Sequence, residues 1–202
     1  LKFNSKLKLS TRNNWNLNMD DLIIGCIARW DPQKDHKNLI KSLNHINKKH
    51  IKNHNIKVVL IGPNMNDDNV DLKSMINNNH FQEIEIMLLG PSDNIVEVFS
   101  AIDLHVLPSR GEAFPNVLCE AMACNIPCVA TNVGDVSNII GNTGWVVPRN
   151  NPEKLGKVLS LAIENFENKL EWSKRKTICR ERILKMFGIK KMLRKHQLIW
   201  SN

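Results

Sequence analysis

The chain lacks the parts that several large functional classes require. None of its apolar runs approaches the length needed to cross a bilayer. Residues 1–18 are polar and rich in Asn and Lys, so they do not read as a secretory signal. The five cysteines (Cys26, Cys119, Cys124, Cys128 and Cys179) contain no Cys-x2-Cys pair, and no His pair completes a zinc set. They sit mostly in apolar runs, which reads as buried, reduced thiols and a cytoplasmic setting. The seven histidines form no metal or nucleophile arrangement. Gly-x-Ser-x-Gly, P-loop and Gly-x-Gly-x-x-Gly fingerprints are all missing, which removes the hydrolase, P-loop nucleotidase and dinucleotide dehydrogenase readings. No Asp-x-Asp pair is present to hold a divalent ion. The chain opens on Leu1 without an initiating Met and reads as a fragment of a longer protein.

What is present begins with a sufficient core. The 202 residues are 42% hydrophobic, enough for one large domain or two small ones. Net charge is +8, but ten basic residues and one acid, Glu181, fall within 174–195, leaving the rest of the chain near neutral. That basicity reads first as a solvated helix face and second as peripheral contact with a membrane surface. Nucleic acid is not expected as a partner, because only Trp172, Phe187 and Trp200 accompany the charges.

Short apolar runs at 22–28, 56–61, 84–89, 104–107, 127–131 and 144–147 read as strands buried on both faces, as in a parallel sheet. Helical patterns separate them at 36–50, 68–78, 94–102, 116–123 and near Val136, with 152–165 and 172–200 following, the last broken near Gly188. This alternation predicts an α/β fold: a Rossmann-like, doubly wound parallel sheet followed by C-terminal helices. The expected division is 1–20 as an incoming connection, 21–168 as the sheet domain and 169–202 as a helical segment.

Ligands of such sheets bind beyond the carboxyl ends of the strands. Four loops with distinctive chemistry are expected there: 29–36, Gly62-Pro-Asn64, Gly90-Pro-Ser-Asp93 and 108–116. The most informative is Ser109-Arg-Gly-Glu-Ala-Phe-Pro-Asn-Val-Leu-Cys-Glu-Ala-Met-Ala-Cys124. It sets Glu112 in a turn, starts a helix at Pro115-Asn116 and places Glu120 inside it. A helix start presents unpaired N–H groups and a positive dipole end, which suit phosphate. Glu120 and Glu112 would repel phosphate, so their presence there indicates a ligand that also carries neutral diols, as a nucleotide sugar does. Arg29 and Lys34 flank the Asp31-Pro32 turn, where a planar fork and a point charge can neutralise a diphosphate without a metal. Each residue taken alone reads as a solvated charge. Gly134 follows the fifth strand, where it permits close backbone approach or a positive φ.

These residues resemble the C-terminal, donor-binding half of a GT-B fold glycosyltransferase of the retaining family 4. The matching stretches are Gly25-Cys-Ile-Ala-Arg-Trp-Asp-Pro-Gln-Lys-Asp-His-Lys-Asn38, Phe99-Ser-Ala-Ile-Asp-Leu-His-Val-Leu-Pro-Ser109, Glu112 to Cys124 and Pro127-Cys-Val-Ala-Thr-Asn-Val-Gly134. The likeness is dense over 23–168 and weak beyond, where Met186-Phe-Gly-Ile-Lys-Lys-Met192 looks like the closing helix of the family. The resemblance implies that Arg29 and Lys34 bind the leaving diphosphate, that Glu112 stands near the transferred sugar and that Glu120 holds the ribose. It further implies that the backbone of Phe114, Asn116 and Val117 faces the sugar and phosphate, and that Gly90 and Pro91 flank the base. Ala113 replaces the usual Gly of the paired-Glu motif, Gly62-Pro-Asn-Met-Asn replaces a Gly-x-Gly loop, and Asn125 stands where Gly is usual, in a left-handed turn.

The expected function is metal-independent transfer from a nucleotide diphosphate sugar to a glycan or lipid-linked acceptor, with no cofactor or metal. An N-terminal acceptor domain is expected as partner, and the cytoplasm, at the inner face of the membrane, as the location. The competing reading is a non-catalytic nucleotide-sugar-binding module or truncated paralogue.

Overall fold

A computed structural model describes residues 1–79, 83–188, 191, 193 and 197. Six strands form one parallel sheet: β1 Leu22–Ile27, β2 Ile56–Ile61, β3 Ile84–Leu88, β4 Leu104–Leu107, β5 Cys128–Thr131 and β6 Trp145–Val147. Their order is β3-β2-β1-β4-β5-β6, so the direction of winding reverses between β1 and β4. β1 and β2 pair from Leu22 opposite Ile56 to Ile27 opposite Ile61. Every strand agrees with the sequence expectation to within one residue at either end.

The helices are α1 Ser5–Asn14, α2 His36–Leu43, α3 Lys48–Asn53, α4 Val70–Asn77, α5 Ile95–Ala101, α6 Asn116–Ala123, α7 Val136–Ile140, α8 Pro152–Glu167 and α9 Lys169–Phe187. Residues of β1 alternate between two cores. Leu22, Ile24 and Cys26 join Leu39 and Leu155 on the face covered by α2 and α8, whereas Ile23 joins Phe99 and Leu118 on the face covered by α5 and α6. Burial on both sides explains the unbroken apolar runs. Gly25 lets Ile102 pack close, since a Cβ there would stand 2.7 Å from the end of the Ile102 side chain, which would have to shift.

Two expectations need correction. The helical pattern at 36–50 is two helices: α2 stops at Leu43, and Asn47 starts α3 by accepting a hydrogen bond from the Lys49 N–H. A side chain that caps a new helix competes with continuing the old one. The first twenty residues are more than a connection. They hold α1, packed against α5 and anchored by Arg12, which is 0% exposed. Arg12 donates to Ala101 O (2.8 Å), to the carbonyls of Asn18, Met19 and Asp21, and to Asp103 Oδ2 (2.7 Å). The polar composition of the segment concealed this anchor. At the other end α9 closes at Gly188, as expected. His196, Trp200 and most of the 186–192 match after Gly188 lie outside the described residues.

Candidate active site

The loops at the carboxyl ends of the strands are stitched together through their backbones. The Ala28 N–H donates to Ile61 O at 2.9 Å and the Trp30 N–H to Pro63 O at 3.0 Å, joining the loop after β1 to the loop after β2. The Gly62 N–H donates to Gly90 O at 2.8 Å, and the Gly90 N–H to Met65 O at 2.7 Å, which adds the loop after β3. The Arg110 N–H reaches Gln33 O at 2.7 Å, and the Asp135 N–H reaches Ala113 O at 3.0 Å, bringing in the loops after β4 and β5. Gly134 has φ +48°, and a Cβ there would lie 2.1 Å from Glu112 O and 2.5 Å from Ala113 O. Both reasons for a glycine, positive φ and close approach, therefore apply at this one position.

Lys34 ends a 3-10 turn, Pro32–Lys34, whose start is capped by the Asp31 side chain accepting from the Gln33 N–H. Its ammonium donates to Glu112 Oε1 at 2.7 Å, and Ser109 Oγ donates to the same oxygen at 2.8 Å. Glu112 is thus fixed by two donors from two loops. One residue later, Asp35 takes a left-handed conformation (φ 47°, ψ 48°) and pairs with Arg110 Nε at 2.9 Å. Positive φ is disfavoured for Asp, and the ion pair with Arg110 offsets that strain. Arg29 lies on the same rim but does not touch Glu112. Its exposed guanidinium donates to Asp31 Oδ2 at 3.0 Å.

α6 begins at Asn116 with Pro115 before it and no side-chain cap, so its first N–H groups are left to the rim. Asn116 is exposed and Val117 half-buried against the core. The Phe114 ring stands 5.8 Å from the Phe187 ring, so the end of α9 reaches the motif. Glu120 lies in the second turn of α6, half-buried and without an ion-pair partner among the described residues. Burial pushes its carboxyl above the usual range. Asp31 moves the other way, held low by the Gln33 N–H and then by Arg29. Gly90 has φ +68°, with Pro91 exposed beside it. Asn125 adopts φ 63°, as expected of the residue replacing Gly there.

Of the expected site residues, the structure brings Lys34, Glu112 and Gly134 into direct contact and ties Gly90 to the loop of Gly62. Arg29, Pro91, Phe114, Asn116, Val117 and Glu120 lie on the same rim or on α6 without touching that pair. The sequence reading gives no role of their own to four residues: Ser109, Asp31, Asp35 and Arg110. Ser109 and Glu112 stand three residues apart, and their side chains meet across the turn. Thr131 supports it from below, its hydroxyl donating to Ser109 O at 2.6 Å. Among the described residues no group of three His, Cys, Asp or Glu is placed to hold a metal, and no helix is long and apolar enough to cross a membrane.

The chain resembles known proteins in sequence and in fold. The chain is 39% identical over 74 residues to an N-acetyl-alpha-D-glucosaminyl L-malate synthase of Bacillus anthracis, a match covering 36% of the chain and 19% of that enzyme. It is 26% identical over 147 residues to the capsular polysaccharide biosynthesis glycosyltransferase CapM of Staphylococcus aureus, covering 70% of the chain and 37% of the relative. Its fold matches the crystal structure of Anabaena HepE in complex with UDP-glucose with a TM-score of 0.80 at 19% identity, over 99% of the chain and 54% of that protein. The chain thus spans about half or less of these relatives. The family model for glycosyl transferases group 1 matches residues 8–177, from within α1 to the middle of α9. Sheet order, stitched rim and this match agree, and the chain belongs to the group 1 glycosyl transferases.

Proposed function

We propose that the chain is the donor-binding half of a retaining, metal-independent glycosyltransferase, of the kind grouped as family 4. The observation that carries the reading is the Lys34–Glu112–Ser109 cluster beside an uncapped α6, with Arg29 on the same rim. In this reading the cations and open N–H groups hold a diphosphate and the fixed carboxylate meets a sugar hydroxyl. HepE was solved with UDP-glucose, which supports a nucleotide sugar as donor. CapM is named for capsular polysaccharide biosynthesis, which supports a glycan or lipid-linked acceptor.

In transfer, the bond from the anomeric carbon to the diphosphate oxygen breaks while the acceptor hydroxyl oxygen bonds to the same face of the sugar and its proton passes to the departing diphosphate oxygen. Arg29 and Lys34 neutralise the charge that develops on the leaving diphosphate, which is the main catalytic contribution and needs no metal. Glu112 orients the sugar and Glu120 accepts from the ribose diol. Phe114, Asn116 and Val117 offer backbone to the sugar and phosphate, Gly134 lets its loop close on them, and Gly90 and Pro91 flank the base. An N-terminal domain supplies the acceptor half of the cleft, with residues 1–20 leading in from it through α1. The longer enzyme works in the cytoplasm, at the inner membrane face.

A thermal-shift panel of nucleotide sugars tests the reading, because a ligand that binds only the native state raises its melting temperature. One donor is expected to stabilise the protein, and Arg29→Ala to remove that shift without changing the melting temperature of the free protein. A panel in which no nucleotide sugar gives a shift overturns the reading.

A further inference from the structure

The last turns of α9 grip the two helices that flank the Glu112 motif. Cys179 and Ile183 share a core with Leu118 and Met122 of α6. Arg180 donates to Ala123 O at the end of α6, and Asn125 Nδ2 just beyond it donates to Lys176 O at 3.0 Å. Arg182 donates to Ile139 O of α7 at 2.8 Å and to the neighbouring Asn138 O. α9 is thereby fixed against α6, which begins at Asn116, and against α7, which follows Asp135, the residue whose N–H holds Ala113 O.

Phe187, the final residue of α9, comes out of this grip beside the motif. Its ring stands 5.8 Å from the Phe114 ring, tilted by 53°. Phe187 is half-buried against the core shared with α6, whereas Leu184 and Met186 of the same last turn stay exposed. Phe114 is itself 42% exposed and meets no other aromatic ring among the described residues. The stretch is therefore held at Glu112 by Lys34 and Ser109, at Ala113 by Asp135, and at Phe114 by Phe187. Only the last of these comes from outside the strand-end loops.

We propose that Phe187 is a positioning residue for the donor sugar: its ring holds the Phe114 ring, and with it the 113–115 backbone, in the conformation that the sugar meets. A backbone held in advance loses less freedom when the ligand binds. The inference rests on the donor reading, in which Phe114 offers backbone to the sugar. It ties Phe187 to the sugar and not to the diphosphate, which belongs to Arg29 and Lys34.

Calorimetric titration of the chain with UDP-glucose, GDP-mannose and ADP-glucose, and with UDP, GDP and ADP, tests it. Phe187→Ala is expected to weaken the best-bound nucleotide sugar by about two- to ten-fold, the worth of one aromatic pair. The matching nucleoside diphosphate should bind as before. Phe187→Tyr keeps the ring and should retain the affinity of the unsubstituted chain. In a Phe114→Ala background, Phe187→Ala is expected to change nothing further, because the two rings act as one unit. Should Phe187→Ala fail to fold, Phe187→Leu, which keeps apolar bulk but no ring, carries the same comparison. Equal losses for the nucleotide sugar and the diphosphate mean general loosening and overturn the proposal. So do unchanged affinities, a loss in Phe187→Tyr as large as in Phe187→Ala, or a loss that persists without the Phe114 ring. If the unsubstituted chain binds none of these nucleotides, the donor reading itself falls and the role of Phe187 falls with it.

Discussion

Lys34 Nζ and Glu112 Oε1 stand 2.7 Å apart although 78 residues separate them in the chain. The pair joins the loop after β1 to the loop after β4, the two strands between which the sheet reverses its winding. Both side chains are largely shielded, at 21% and 11% exposure, so the contact is stronger than a surface ion pair. Lys34→Ala leaves the Glu112 carboxylate with Ser109 as its remaining side-chain donor and should cost about 1–3 kcal/mol in urea unfolding. In the longer enzyme the same change should lower transfer by about 100-fold or more. Stability lost with transfer intact would make the pair a structural strut and nothing else.

Gly134→Ala attacks the same rim through the backbone. A methyl group at φ +48°, placed 2.1 Å from Glu112 O, fits only if the loop after β5 moves away from Glu112 and Ala113. Stability is expected to fall by about 1–3 kcal/mol, the range for a strained backbone position. Donor-induced thermal stabilisation should shrink at the same time. An unchanged shift would show that this loop does not contact the donor.

Arg12 tests the first segment. It is fully buried, and its guanidinium serves four carbonyls and Asp103, which also accepts from the Ile23 N–H at 3.0 Å. Arg12→Ala breaks a buried ion pair, leaving Asp103 only Lys8 at 2.9 Å as its cation and four carbonyls without this donor, and should cost about 3–5 kcal/mol. Arg12→Lys should recover little, because one ammonium cannot reproduce the planar fork. Urea denaturation of the two variants measures both effects.

Stability should also fall on acidification. His36 and His105 are buried, and desolvation depresses both imidazoles from 6.5 to about 4. Between those pH values the unfolded chain takes up protons that the folded protein refuses, so unfolding is favoured progressively as pH drops from about 6.5 to about 4. Above 6.5 both states are neutral at these positions and the effect vanishes. His105 Nδ1 lies 3.1 Å from Gly25 O, while its Nε2 has no partner and packs beside Phe99. Replacing His105 with the neutral Gln should flatten the slope of melting temperature against pH in that window. A slope equal to that of the unsubstituted protein would assign the acid sensitivity to other groups.

The legibility of this chain differs from part to part. All six strands were readable because burial on both faces demands uninterrupted apolar residues, and that demand is local. The break at 44–47 was less readable, since a continued helix and a fresh Asn cap share one composition. The site was half-readable. Lys34 and Glu112 announced themselves through spacing and charge type, whereas the Asp35–Arg110 pair forms only when the loops after β1 and β4 meet. Phe187 reaching Phe114 depends on where α9 ends, which no pattern around Phe114 encodes.

The sequence by itself determined the alternation of strands and helices, the glycine at 134 and the kinds of side chain placed at each strand end. These follow from side-chain burial and backbone φ, which short stretches fix for themselves. Tertiary structure alone decided which carboxylate each cation would hold and that Arg12 would be swallowed whole. Those outcomes depend on distances between residues far apart in the chain, and such distances exist only once the sheet has closed its order.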